Sequence, residues 1–387
     1  MTPRLTMYFM SSTQAAHWYA NPSARAWRPT PPGSALQFHR TIAGYTPTQL
    51  TELPSLAHEL SVGRVFLKDE SNRMGLPAFK ILGASWATCR AVSRWLGLDP
   101  QAATLPVLAD SLAKVLTNPH DVTLVTATDG NHGRAVARMA SLLGVSARIY
   151  IPEGVSKSAA DAIVEEGAEL ISLDSSYDEV VAFASESTKS RPLDFLVQDT
   201  SWEGYVDVPQ WIIDGYTTLF AEVDESLGTL GLTPDLVACP VGVGSLAQAM
   251  VDHYRSGVTR PRLLSVEPVT AACVATSLLA GEITSVEIES PTIMAGLNCG
   301  TPSTIGWPSL LNGLDAAISV TDQESRTAVA DLAALGQDAG PCGAASLAGV
   351  RAALTDPARR AALDLDTTSV IVLVSTEGLA ANPLDNR

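Results

Sequence analysis

Apolar and polar positions in this chain fall into two kinds of block that take turns. From residue 121, short runs with few polar positions are each followed by longer stretches whose apolar residues recur every three or four positions. DVTLVTAT (121–128) reads as a buried strand. The stretch 131–144 reads as a helix with Ala135, Val136, Met139, Ala140 and Leu143 on one face and Gly144 closing it. ARIYIP (147–152) is the next strand, 157–167 the next helix, ended by Gly167. AELISL, a helix over Tyr177–Lys189 and DFLVQDT repeat the cycle, and a longer helix follows from Pro209, where proline is tolerated in the first turn. DLVACP, a helix over 245–255, LLSVEP, a helix from Ala271, AAISV, two helical stretches and SVIVLVS complete the set. Strands this apolar, each followed by a helix, predict a parallel sheet covered on both faces, an α/β fold. A helical stretch over Asp110–Thr117 reads as an insertion, and the first 50 residues, rich in Pro, Ser, Thr and Trp, as an irregular lead-in.

Composition narrows the class. The 387 residues are 46% apolar and 17% charged, which suits a chain with one large or two medium packed domains. A net charge of −16 disfavours nucleic acid and anionic membranes as partners. No apolar run approaches the roughly 20 residues of a membrane span, and the N-terminus is a poor leader, so a cytoplasmic protein is expected. The cysteines Cys89, Cys239, Cys273, Cys299 and Cys342 show no zinc spacing, so no metal site is expected.

Candidate chemistry collects at the predicted strand ends, where open α/β sheets bind ligands. Lys80 lies between an acidic-polar loop and an apolar helix start. It reads either as a snorkelling surface lysine or as a nucleophile whose pKa burial lowers. Cys239-Pro240-Val241-Gly242-Val243-Gly244-Ser245 joins a strand to a helix, as a plain turn or an anion cradle. Thr128-Asp129-Gly130-Asn131-His132-Gly133 is a capping turn or a second group of anion-binding amides with a carboxylate among them. Asp199 and Glu203 follow the strand at 194, and Ser375, Thr376 and Glu377 follow the last one.

With these segments in place, the chain resembles the fold-type II pyridoxal-phosphate enzymes, the group of tryptophan synthase β and threonine dehydratase. It resembles most the branch that eliminates ammonia from 2,3-diaminopropionate. The segments that carry the likeness are KDESNRMGLPAFKILGASWA, TDGNHGRAVA, VQDTSWEGY with PQWIIDGYTTL, VEPVTAACVATS, TIMAGLNCGTPSTIGWPSLLNG and VSTEG, over roughly 40–380. The resemblance implies two domains, each with a parallel-rich sheet flanked by helices, and pyridoxal 5′-phosphate in the cleft between them. The large, cofactor-binding domain would be 1–83 plus 211–387 and the small one 84–210.

It implies that Lys80 holds the cofactor covalently, with Phe79 beside the ring and Asn131 on the phenolic oxygen. Gly242, Val243, Gly244 and Ser245 would cradle the phosphate. Ser375 or Thr376 would face the pyridine nitrogen, and a hydroxyl there leaves that nitrogen unprotonated. Lys80, Asp129 and Asp199 would be the catalytic set. Asp129 stands where many relatives carry a hydroxyl, and a carboxylate there attracts a second ammonium group. The substrate would be a small amino acid, with Lys80 as base for the L isomer and Asp129 for the D isomer. A serine/threonine dehydratase, a β-replacement enzyme and a non-catalytic ligand binder are the alternatives. The resemblance also implies a homodimer and matches Cys273 and Cys299 to paired positions, as a disulfide or as two buried thiols. The chain departs from the pattern in places, and Pro77-Ala78 and Pro240 differ from the common choices. Gly340 stands where many relatives have glutamate, which removes an acid near the cofactor.

Overall fold

The computed structural model describes residues 17–100 and 102–384. Most of the N-terminal stretch read as a poor leader, and the first part of the lead-in, lie outside them. Among the described residues the strands are β1 (Trp18–Ala20), β2 (Leu50–Glu52), β3 (Arg64–Asp69), β4 (Thr123–Ala127), β5 (Ser146–Pro152), β6 (Glu169–Leu173), β7 (Asp194–Leu196), β8 (Leu236–Pro240), β9 (Arg262–Pro268), β10 (Ala316–Val320) and β11 (Val370–Ser375). They form two sheets, one of seven strands in the order β1-β10-β9-β8-β11-β3-β2 and one of four in the order β6-β5-β4-β7. All pairings are parallel except the two at the edges of the larger sheet, β1 with β10 and β2 with β3.

The nearly unbroken apolar runs have the expected cause. Along β11, Val370, Val372 and Val374 belong to one core cluster and Ile371 and Leu373 to another on the opposite face, so both faces are covered. Helix positions agree well: the predicted Tyr177–Lys189 helix is found with those bounds, capped by Ser176 and Glu179, and Gly144 closes Asn131–Leu143 in the left-handed region.

Several expectations need correcting. The lead-in is not wholly irregular, because β1 adds an antiparallel edge to β10. The Lys68-Asp69 end of the polar loop belongs to β3, an interior strand of the larger sheet that the pattern concealed. The helix expected over Asp110–Thr117 starts at Leu105, with Pro106 in its first turn and Thr104 capping it. Three helices, not two, fill the span before β11: Asp322–Ala334, Pro341–Leu354 and Pro357–Leu363. Polar residues hid β3 because their charges are neutralised by residues distant in sequence.

Those charges form a closed network. Lys68 Nζ lies 2.5 Å from Glu222 Oε2, and Arg73 bridges Glu222 (2.7 Å) and Glu70 (2.6 Å), with all four side chains fully buried. Tyr45 and Thr48 donate to the same two carboxylates, at 2.7 Å each. Two cations and two anions cancel, and every carboxylate oxygen has a donor. The network pins the 70–79 loop, which leads to Lys80, onto the Asp207–Thr229 helix. Removing one member leaves an unpaired buried charge. Glu222→Ala is therefore expected to cost about 3–5 kcal/mol, read as a lowered midpoint in chemical or thermal unfolding. An unchanged midpoint would show that the network contributes nothing net.

The Asp207–Thr229 helix also crosses the Ile81–Leu96 helix at close range. A Cβ on Gly215 would lie 2.4 Å from the Leu82 carbonyl oxygen, so only glycine permits the approach. The crossing brings Tyr216 against Phe79, with ring centroids 4.7 Å apart.

Candidate active site

The carboxyl ends of five parallel strands converge on Lys80. The loop after β3 carries Phe79 and Lys80, the turn after β4 carries Asp129 and Asn131, and β7 leads to Asp199. The turn after β8 carries Gly242–Ser245, and Ser375, Thr376 and Glu377 end β11. Short backbone bonds fix this convergence. Phe79 N–H donates to Thr376 O at 3.3 Å, Gly378 N–H donates to Pro77 O at 3.0 Å, and Ala78 bridges Glu377. The 77–79 segment and the end of β11 thus meet next to the lysine.

Lys80 Nζ donates to Asp199 Oδ2 at 3.0 Å and lies 5.6 Å from the Phe79 ring centroid and 6.0 Å from that of Tyr216. The expectation that burial lowers its pKa is overturned. Burial does push it down, but the Asp199 charge, with Tyr216 and Asp129 behind it, more than offsets this and raises the pKa well above an ordinary lysine. Without a bonding partner other than these acids, Lys80 is an ammonium. Asp199 answers it: burial would raise its carboxyl, but His132 and Lys80 bring it down to about 2. Burial lowers the His132 pKa and leaves that ring neutral, so the Lys80 charge is the effective one. His132 Nε2 lies 2.7 Å from the Val197 carbonyl oxygen, and its Nδ1, 3.7 Å from Asp199, is without a hydrogen-bond partner.

Asp129 lies on the open side of the cleft, where water still reaches it. Its pKa is raised, by desolvation first, with Lys80 opposing and Asp199 adding to the rise. Two side chains not singled out in the sequence join the group. Tyr177 accepts from Gln198 Nε2 at 3.2 Å, and burial followed by the fields of Asp199 and Asp129 raises its phenol. The Tyr216 hydroxyl is buried without a partner and pushed up to about 12, by burial first. Both tyrosines sit on helix faces that read as ordinary amphipathic pattern, which is why spacing did not reveal them.

The residues fit a phosphorylated pyridine aldehyde. Gly244 has φ +103° at the start of Ser245–Ser256, and a Cβ on Gly242 would lie 2.9 Å from Cys299 Sγ, so both positions need glycine to keep amides open at a helix N-terminus. The other anion candidate is weaker, because Thr128 Oγ1 already accepts from Gly130 N (3.0 Å) and Gly133 N (3.1 Å). At the end of β11, Ser375 Oγ, Thr376 Oγ1 and Glu377 Oε1 are buried without hydrogen-bond partners. Cys273 and Cys299 are free thiols, and Cys273 Sγ points at the Gly242 carbonyl oxygen, 3.7 Å away. Among the described residues no group of three or more His, Cys, Asp or Glu could hold a metal. A concavity of about 320 Å³ beside His120, Thr123, Ser146 and Glu169 lies at the amino ends of β4–β6, the opposite end from Lys80.

The sequence profile of the family described as "pyridoxal-phosphate dependent enzyme" matches residues 42–377. The chain belongs to this family. It is 37% identical over 354 residues to a diaminopropionate ammonia-lyase of Escherichia coli K12, covering 89% of this chain and 87% of that one. It is 34% identical over 359 residues to the diaminopropionate ammonia-lyase of Salmonella typhimurium LT2, with 89% and 88% covered. Its fold superposes with a TM-score of 0.82 and 33% identity on the E. coli diaminopropionate ammonia-lyase in complex with an aminoacrylate-PLP azomethine reaction intermediate, covering 94% of each chain. The fold is therefore the fold-type II architecture expected, and the protein is a pyridoxal-phosphate-dependent enzyme. No helix among the described residues is long and apolar enough to cross a membrane.

Proposed function

We propose that this protein eliminates ammonia from 2,3-diaminopropionate, converting one substrate and one water into pyruvate and two ammonia. The observation that carries the reading is the pair of carboxylates, Asp129 and Asp199, around one lysine. An ordinary amino acid has no use for two anions beside its side chain, whereas a β-ammonium group is held by them. The kinship with the E. coli and Salmonella enzymes supports the same reading.

When bound, pyridoxal phosphate supplies the electron sink for loss of the α-proton. The chain's own residues do the rest. Lys80 would hold the cofactor and move the α-proton of the L isomer at Nζ, while Asp129 would take that of the D isomer. Asp199, ionised down to about pH 2, anchors the β-ammonium and steadies Lys80. Phe79 would flank the cofactor ring, Asn131 would hold its phenolic edge, and Gly242, Val243, Gly244 and Ser245 would supply amides to its phosphate. Ser375 or Thr376 would meet the ring nitrogen. We further take 1–83 plus 211–387 as the cofactor-binding domain and 84–210 as the small one. Membership of the sheets supports this division, since the smaller sheet draws only on residues 123–196. A cytoplasmic homodimer is our expectation on the resemblance alone.

A panel of β-substituted amino acids tests the reading. Diaminopropionate is expected to give pyruvate and ammonia in a 1:2 ratio, with kcat/KM at least about tenfold above serine and threonine, a difference of about 1.4 kcal/mol. A preference for serine or threonine would make the protein a dehydratase instead.

A further inference from the structure

His132 is a buried ring to which the proposed reaction gives no part. It is the second residue of the Asn131–Leu143 helix and only 4% exposed. Its Nε2 lies 2.7 Å from the Val197 carbonyl oxygen, which can only accept, so Nε2 carries a hydrogen. The other nitrogen, Nδ1, has no hydrogen-bond partner and faces Asp199 Oδ2 at 3.7 Å. That same oxygen accepts from Lys80 Nζ at 3.0 Å. Nδ1 is thus aimed at the atom around which the candidate site is built, and Lys80 serves only one of the two acceptors.

Both sides of this gap are held in place. Thr128 Oγ1 accepts from the N–H groups of Gly130 and Gly133, on either side of His132, and so fixes the turn. Across the gap, Gln198 Oε1 accepts from the Ala127 N–H and the Thr126 hydroxyl, each at 2.9 Å. A backbone N–H only donates, so the Gln198 amide has one orientation, and its Nε2 faces Asp199 Oδ1 at 3.4 Å. With Oδ1 turned to Gln198, Oδ2 is left for the cleft. The ring stays neutral. Burial outweighs the pull of Asp199, while the Lys80 ammonium and the helix N-terminus oppose a second positive charge; Asp129 is the remaining charged group facing the ring. Nδ1 therefore presents a lone pair beside a carboxylate oxygen, and two acceptors this close call for one group that donates to both.

We propose that His132 is a specificity-determining residue of the elimination, its Nδ1 and Asp199 Oδ2 together receiving the β-ammonium of 2,3-diaminopropionate. This rests on the reading of the site as one that eliminates ammonia. The pair distinguishes substrates by their hydrogens. An ammonium carries three and donates to both acceptors at once. The β-hydroxyl of serine or threonine carries one, so whichever acceptor it serves, the other stays buried without a partner. The ring needs no proton in this role. The β-nitrogen arrives as an ammonium and leaves as ammonia, taking the electron pair of the broken carbon–nitrogen bond.

The test compares kcat/KM of the holoenzyme for L-diaminopropionate and L-serine in two variants that separate the ring's two contacts. His132→Asn puts an amide oxygen near the place of Nδ1 and gives up the Val197 bond. His132→Gln keeps a donor near the place of Nε2 and gives up the acceptor. The asparagine variant is expected to hold the ratio of the two values within about threefold of wild type. The glutamine variant is expected to lower that ratio at least about tenfold, through diaminopropionate, with serine little changed. A purely structural ring would leave the ratio alone, because lost support affects both substrates alike. A glutamine variant with the wild-type ratio, or an asparagine variant that loses it as fully, would overturn the proposal. If the glutamine variant does not fold, His132→Leu, which fills the volume without an acceptor, takes its place with the same expected loss. A wild type that prefers serine would sink the elimination reading and this proposal together. A wild type that prefers diaminopropionate, with an unchanged ratio in the glutamine or leucine variant, would sink the role of His132 alone.

Discussion

Lys80→Ala is expected to lower pyruvate formation by about 10⁴-fold or more, since one substitution removes the covalent anchor and a proton carrier together. The same variant should lose the visible band of the bound cofactor. Borohydride trapping of the wild type, followed by peptide mass spectrometry, should place the cofactor on the peptide containing Pro77-Ala78-Phe79-Lys80. An adduct on another lysine, or substantial turnover by the alanine variant, would remove the central residue from the proposed function. Folding should survive, because Lys80 lies on the cleft wall with its side chain 29% exposed and its ion pair with Asp199 is partly open to water.

Asp129→Asn should discriminate between the isomers of diaminopropionate. Asparagine can neither take a proton nor hold an ammonium by charge, so turnover of the D isomer should fall roughly 10²–10⁴-fold. The L isomer, served by Lys80, should lose less, mainly through a higher KM as one of two anions disappears. The pH profile gives a second readout. Asp129 acts as base only when ionised, and its pKa is raised from 3.8. The acidic limb of the D-isomer profile should thus begin above the range of a free aspartate, and it should vanish in the asparagine variant. Full activity of the variant on both isomers would show that Asp129 is not the base.

Local pattern revealed the strand–helix alternation from residue 121 on, because strands such as β4, β8, β10 and β11 are buried along their whole length and carry apolar or small side chains. It concealed β3, whose Lys68 reads as surface until Glu222 is brought to it across 154 residues. The candidate site was largely legible too: Asp129, Asn131, Asp199 and the Gly242–Ser245 turn follow predicted strands, Lys80 stood out between a polar loop and an apolar helix start, and they are brought to one cleft. Tyr216 was not singled out, and Glu377 was named only as part of the turn after the last strand. The first is one aromatic on a helix rich in apolar residues, and the second was one letter in a motif whose neighbours drew the attention.

From the order of residues alone came the α/β class, the strand-end turns with their glycines, and the lysine with two acids that signals amine chemistry. Those properties depend on side-chain type and on contacts within a few positions. The protonation of Lys80 was decided by the tertiary structure. Lys80 was expected to lose its proton on burial and instead keeps it, because Asp199 lies 3.0 Å away. Electrostatic energy depends on distance through space, and only the folded chain sets that distance.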